Sequence, residues 1–271
     1  MTTKLLLAGC GKMGGALLEG WLQRGIQAGD VTIVEPNEEI RNTLSADHSV
    51  NTCSSAQELP QDLAPNVVML AVKPQMMDDV APLYSRYRSS DCVFLSIAAG
   101  KTIAYFENHL GKDAAIIRSM PNTPAAVRRG ITVACSNSHT SQQQRETCDT
   151  LLQAVGSVEW VEDEDMIDAV TALSGGGPAY VFLLVECMAQ AGIDAGLPND
   201  LAMKLARETV AGSGELLHQA SEEAATLRQN VTSPGGTTAE ALRVLMADDG
   251  WQPLVTKAIA AATARSRELA G

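Results

Sequence analysis

Over residues 1–160, short and nearly unbroken apolar runs alternate with stretches whose apolar residues recur every three or four positions. The runs "KLLLAG", "VTIVE", "NVVMLAV", "CVFLSIA", "AAIIRSM" and "ITVAC" have almost no polar face, so each predicts a strand covered on both sides. Helical spacing falls between them, at 13–24, 37–45, 76–88 and 102–109. The alternation predicts a doubly wound α/β domain of Rossmann type over residues 1–162, with a parallel sheet. From residue 163 the strand-like runs stop. Segments 163–173, 178–195, 199–219, 221–229, 237–248 and 251–269 all keep helical spacing, which predicts an all-helical domain over 163–271. Pro178 and Pro253 stand where a first turn tolerates proline. "YVFLLVECMA" is apolar all round and predicts a helix buried on most sides. The small residues of this half suit close helix contacts, within the chain or against another subunit.

Composition narrows the function classes. A net charge of -12 disfavours nucleic acid and anionic membrane, both of which would repel the chain. The six cysteines form no CxxC pair, so neither a zinc site nor a disulfide framework is expected. The N-terminus runs straight into a strand without a signal-peptide pattern, and no apolar run looks long enough to span a bilayer. The expectation is a cytoplasmic protein with no metal.

"AGCGKMGGAL" holds Gly9, Gly11 and Gly14 in GxGxxG spacing between a strand and a helix. In that context Gly9 makes the tight turn, Gly11 admits a pyrophosphate, and Gly14 lets helix and strand approach. The helix N-terminus then faces the negative charge. Glu35 ends the second strand, where a carboxylate accepts hydrogen bonds from a free ribose 2′-hydroxyl and repels a 2′-phosphate. That favours NADH, unless Glu35 points to solvent or Arg41 rescues a phosphate. "AVKPQ" and "SIAAG" also end strands, where ligands bind in open sheets. Lys73 could reach phosphate or ribose, or simply face solvent, and Pro74 stiffens its turn. Ala98, Ala99 and Gly100 leave room for a flat ring. "RSMPNTPAAV" is rigid and polar around Asn122, as a wall for a carboxamide or as a connection between domains.

A second glycine device is "TSPGGTT" (232–238). Thr237 and Glu240 have capping-box spacing, so one reading is a well-capped helix. Gly235 and Gly236 add exposed backbone just before that helix, and Ser233 and Thr238 add hydroxyls. The other reading is a pocket for a small carboxylate at the helix tip.

"AVKPQ", "SMPNTP", "SGGGPAYVF" and "LRQNVTSPGGTTAEAL" stand in the same order and spacing as in pyrroline-5-carboxylate reductases, which the chain resembles over essentially its whole length. The resemblance implies a Rossmann domain, a helical domain that dimerises by interlocking, assembly often to decamers, and the last step of proline biosynthesis. The substrate would be a small cyclic imine carboxylate and the cofactor NADPH or NADH. By position, the family's substrate site falls on Glu164, Asn230, Ser233, Gly236, Thr237 and Thr238. Its cofactor site falls on Ala8, Gly9, Cys10, Gly11, Lys12, Met13 and Gly14, the end of the second strand, Ala71, Val72, Lys73 and Pro74, and Ala98, Ala99 and Gly100. Gly176 stands where the family usually has serine. The Glu35-Pro36-Asn37 corner replaces an Asn-Arg common in bacterial relatives, so competence with NADH is expected beside NADPH. Within that reading Thr238 is the catalytic candidate, hydrogen-bonding the ring nitrogen. Two other enzymes stay open: a reductase of a six-membered cyclic imine, and a β-hydroxyacid dehydrogenase. The latter would need a lysine base that "SGGGPAYVFLLVECM" lacks. A dinucleotide sensor without catalysis would not need the second anion site.

Overall fold

The computed structural model describes residues 3–270. Its elements are β1 (Leu5–Ala8), α1 (Lys12–Gln23), β2 (Val31–Val34), α2 (Glu38–His48), β3 (Asn51–Cys53), β4 (Val67–Leu70), α3 (Met77–Val80), β5 (Val93–Ser96), α4 (Ile103–Leu110), β6 (Ala115–Met120), β7 (Gly130–Ser136), α5 (Gln142–Leu152) and β8 (Gly156–Trp160). Helices follow: α6 (Met166–Val170), α7 (Gly177–Asp194), α8 (Asn199–Gln219), α9 (Ala224–Asn230), α10 (Thr237–Leu245) and α11 (Trp251–Ala270). The chain divides into two compact units. One runs through Gly175 and takes in the C-terminal residues from Ala262; the other is Gly176–Ala261.

In the first unit one sheet has the order β3-β2-β1-β4-β5-β6-β7-β8. The order reverses direction between β1 and β4, where Leu5–Ala8 pairs in register with Val67–Leu70. Alternate residues of each strand feed two separate cores. Leu5, Leu7, Ile33, Met69, Leu95 and Ile117 pack with Leu17, Leu18 and Trp21 of α1 and with Cys148, Leu151 and Leu152 of α5. Leu6, Val68, Leu70, Phe94 and Ile116 pack with Met77, Tyr84 and Phe106. Burial on both faces is why the strands read as unbroken apolar runs.

Two features depart from the sequence reading. The sheet is not wholly parallel, because β6 and β7 pair antiparallel. Only the short segment with the 3-10 turn Thr123–Val127 joins them, and a parallel crossover needs a dozen residues or more. The stretch expected as one helix at 76–88 is a short α3 followed by 3-10 helix, Ala81–Tyr87. Ala81, Tyr84 and Tyr87 are its buried residues, three apart, which suits a helix of three residues per turn.

In the second unit α7 and α8 pack through small residues. A Cβ on Gly192 would lie 3.3 Å from the Ala202 Cβ, and Ala189, Ala202 and Ala206 are buried. The expectation that α7 is buried on most sides is not met within the chain. Phe182 is 62% exposed and Leu183 56%, with Val181 also exposed. Apolar composition tells that a helix needs cover, not which molecule supplies it. Nor is the chain without a stretch long enough to span a bilayer. Met166–Asp194 forms one 29-residue helix with a π turn at Thr171–Gly175, long and apolar enough by length and composition. The sequence spacing predicts two separate helices here, 163–173 and 178–195. The core helix of a soluble protein passes the same test.

Candidate active site

β1 ends in a tight turn that only glycines allow. Gly9 has φ +84°, and a Cβ on it would meet Val72 Cγ1 at 2.8 Å. A Cβ on Gly14 would lie 2.7 Å from the Gly9 carbonyl oxygen, so α1 passes directly over the turn. Gly11 is different: a Cβ there would meet nothing within 4 Å. Two glycines therefore make the turn, and the third leaves its surface open. Gly11 is also the N-cap of α1, and no side chain caps that helix. By contrast α2, α4 and α5 carry side-chain caps, from Asn37, Thr102 and Ser141. The amides of the first turn of α1 and its dipole are thus offered to an anion. This cradle fits a dinucleotide pyrophosphate.

Glu35 is buried, 9% exposed, and does not point to solvent. Its Oε2 accepts the Cys10 N–H at 2.9 Å and its Oε1 the Asn37 N–H at 3.0 Å. The carboxylate therefore braces the glycine turn from the end of β2. Burial, with the Glu35 and Glu19 charges, pushes the Cys10 thiol up to about 12. Arg41 Nη1 donates to the carbonyls of Glu35 and Pro36, both at 2.7 Å.

The loops after β4 and β5 sit at the same strand ends. Lys73 is exposed and precedes the 3-10 turn that Pro74 begins. Ala98 is buried, Ala99 exposed, and Gly100 has φ +72°. A Cβ on Gly100 would lie 3.2 Å from the carbonyl oxygen of Leu269, in the last turn of α11. Asp78 ties the two loops together: its Oδ1 accepts from Tyr105 OH at 2.5 Å and from Lys101 Nζ at 3.2 Å. The Tyr105 hydrogen bond, then Lys101, holds the Asp78 carboxyl below its ordinary range. Asn122 is engaged internally, donating to Ser174 Oγ at 3.2 Å and accepting the Ile131 N–H at 3.0 Å.

Glu164 is also committed. Its Oε1 accepts Arg118 Nη1 at 2.7 Å and the Ile103 N–H at 2.8 Å, at the first residue of α4. Arg118 is 4% exposed. Arg118, Asp78, Tyr105 and Ser174 were not singled out from the sequence. For Arg118 there was a signal, a lone charge inside the apolar run "AAIIRSM", which in a covered strand demands a partner.

In the second unit, the capping box expected of Thr237 and Glu240 does not form. Gly236 is the N-cap of α10, Thr237 is its first residue, and no side chain caps the helix. Glu240 pairs instead with Arg243 at 3.0 Å. A turn leads in: Gly235 has φ +69°, and the Gly236 N–H donates to the Ser233 carbonyl at 3.0 Å. The Gly236 amide is therefore spent in the turn, and the open helix tip begins at Thr237. A Cβ on Gly236 would stand 3.2 Å from the Ser233 carbonyl oxygen and 3.5 Å from its Cβ, so Ser233 lies close to that tip. Asn230, Ser233, Thr237 and Thr238 are all exposed within the chain. A helix start with exposed amides and three nearby hydroxyls can hold a small carboxylate.

Comparison with known proteins gives a consistent picture. Residues 164–269 match the model described as pyrroline-5-carboxylate reductase dimerisation. Residues 4–100 match the model described as NADP oxidoreductase coenzyme F420-dependent. The pyrroline-5-carboxylate reductase of Pseudomonas aeruginosa is 38% identical over 269 residues, covering 99% of this chain and 97% of the relative. That of Escherichia coli K12 is 34% identical over 270 residues, covering 99% of each. Among solved structures, a pyrroline-5-carboxylate reductase from Coxiella burnetii superposes with a TM-score of 0.93 at 32% identity, over 100% of both chains. The Plasmodium falciparum pyrroline carboxylate reductase, solved with NADP bound, gives 0.81 at 29% identity, over 99% of this chain and 98% of that one.

Proposed function

The chain belongs to the pyrroline-5-carboxylate reductase family, and from that premise we propose how its own residues carry the reaction. The enzyme is an NAD(P)H-dependent oxidoreductase that reduces the C=N bond of 1-pyrroline-5-carboxylate to L-proline, the last step of proline biosynthesis. It works as a homo-oligomer on a small molecule, and the exposed apolar face of α7 is the kind of surface a dimerisation segment buries. Our reading extends this to a homodimer that assembles further, to a decamer, in the cytoplasm.

The bound nicotinamide supplies the hydride. Gly9, Gly11 and Gly14 form the pyrophosphate cradle, with the α1 amides facing the charge. Ala8–Gly14, Glu35, Ala71–Pro74, Ala98–Gly100 and Asn122 line the dinucleotide. Glu164, Asn230, Ser233, Gly236, Thr237 and Thr238 serve the imine. The amides of Thr237 and Thr238 and the Ser233 hydroxyl hold its carboxylate, and the Thr238 hydroxyl donates to the ring nitrogen. That hydroxyl is too weak an acid to supply a net proton at neutral pH. It orients the nitrogen, and the proton comes from water or arrives on the substrate. Fixing both ends of the ring turns one face toward the reductant, so catalysis is largely positioning.

One observation carries the substrate assignment: α10 starts on glycine with no side chain on its amides, beside Ser233 and Thr238. The test is the imine-dependent oxidation of NADH and NADPH, with pyrroline-5-carboxylate and its six-membered analogue side by side. Turnover of the five-membered imine at least tenfold faster supports the reading. Preference for the larger ring would replace it.

A further inference from the structure

The corner between β2 and α2 points to a selective function within the cofactor site: we propose that this chain discriminates in favour of NADH, with Glu35 as the specificity-determining residue. This rests on the dinucleotide reading above. The carboxylate sits at the end of β2 with both oxygens on backbone amides, Cys10 at 2.9 Å and Asn37 at 3.0 Å. Its negative charge is thereby fixed beside the glycine turn and cannot swing away to admit a phosphate. An oxygen so placed still has lone pairs for a ribose 2′-hydroxyl, whereas a 2′-phosphate would meet a like charge.

Three of the donors nearest a 2′-phosphate are already engaged. The Asn37 N–H serves Glu35, and the Ile40 N–H serves the Asn37 side chain at 3.1 Å. Arg41 Nη1 is drawn back onto the carbonyls of Glu35 and Pro36, both at 2.7 Å. The surrounding side chains are acidic. Glu38 and Glu39 occupy the first turn of α2. Glu58 lies near enough to Arg41 to feel its charge. The corner therefore presents carboxylates where a phosphate-accepting site would present free cations.

The experiment is equilibrium binding of NADH and NADPH to the purified enzyme, read by nucleotide fluorescence with no imine present. It therefore answers independently of whether the substrate assignment holds. Wild type is expected to bind NADH at least about tenfold tighter than NADPH. Glu35→Gln removes the charge and keeps one of the two backbone contacts, since its NH2 cannot accept an amide N–H, and Glu35→Ala removes the charge and both contacts. Each should narrow that ratio by about tenfold, mainly through a gain for NADPH. A purely bracing Glu35 would weaken both nucleotides together and leave the ratio where it was, which overturns the proposal. Arg41→Ala should change NADPH affinity by less than about threefold, because its guanidinium serves the backbone. A loss of tenfold or more confined to NADPH would show that Arg41 binds the 2′-phosphate, and would equally overturn it. So would a wild-type preference for NADPH.

Discussion

The two glycines at the start of α1 should separate when each is replaced by alanine. On Gly14 the new Cβ would stand 2.7 Å from the Gly9 carbonyl oxygen and 3.6 Å from Ala71 Cβ. Carbon and oxygen need about 0.5 Å more than that, and the oxygen belongs to backbone held by the sheet, since the Gly9 N–H donates to the Val34 carbonyl at 2.8 Å. Relief must come from shifting α1 off β1, and overpacking of this kind costs about 1–3 kcal/mol. For a domain of this size each kcal/mol lowers Tm by roughly 2–4 °C. Gly14→Ala should thus melt several degrees lower and bind NADH at least about tenfold more weakly, because the turn itself moves. On Gly11 the Cβ enters open space, and φ -70° with ψ -162° is backbone that alanine adopts freely. Gly11→Ala should melt within about 1 °C of wild type yet also lose about tenfold in NADH affinity, since its methyl occupies the path of the pyrophosphate. Calorimetry and fluorescence titration of both variants read the two effects. If Gly11→Ala binds NADH as wild type does, the phosphates do not approach this turn and the cofactor assignment fails.

Thr238→Ala should lower kcat by ten- to a hundredfold, the loss of about one transition-state hydrogen bond, and Thr238→Ser should recover most of it; steady-state kinetics decides. Phe182→Glu places a charge on the exposed apolar face of α7 and should shift the species seen by sedimentation toward monomer, whereas an unchanged oligomer would remove that face from the interface. Alkaline pH should weaken the fold progressively from above about 9. Burial raises Cys10 and Cys92 from 9.0 to about 12 and Cys148 higher still. The unfolded chain loses these protons first, so stability is intact below pH 9 and falls between 9 and 12. The fall is about tenfold in the folding constant per pH unit per thiol, and denaturant melts of wild type and a Cys92→Ala/Cys148→Ala variant should show the slope lessen.

The fold was legible where burial on both faces left a continuous apolar signature, as in β1, β2, β4, β5 and β6. β3 (Asn51–Cys53) was not, because it is an edge strand whose residues are only partly covered. β8 (Gly156–Trp160) alternates polar and apolar residues and likewise lacks an unbroken run. The antiparallel turn between β6 and β7 follows from a loop length rather than from any residue type. At the site, glycines announced themselves because each marks a place where a side chain cannot fit. Hydrogen-bond partners did not, since Glu35 with Cys10 and Arg118 with Glu164 are 25 and 46 residues apart. The capping box at Thr237 shows the limit from the other side: the spacing was right, but the glycine before it took the cap position. That substitution leaves the amides of α10 open.

A crystal structure of the enzyme with L-proline and NAD+ measures this directly. The proline carboxylate should lie within hydrogen-bond distance, about 3 Å, of the Thr237 and Thr238 amides, with the Thr238 hydroxyl on the ring nitrogen. A proline bound away from the start of α10, or with its nitrogen turned from Thr238, would contradict the account.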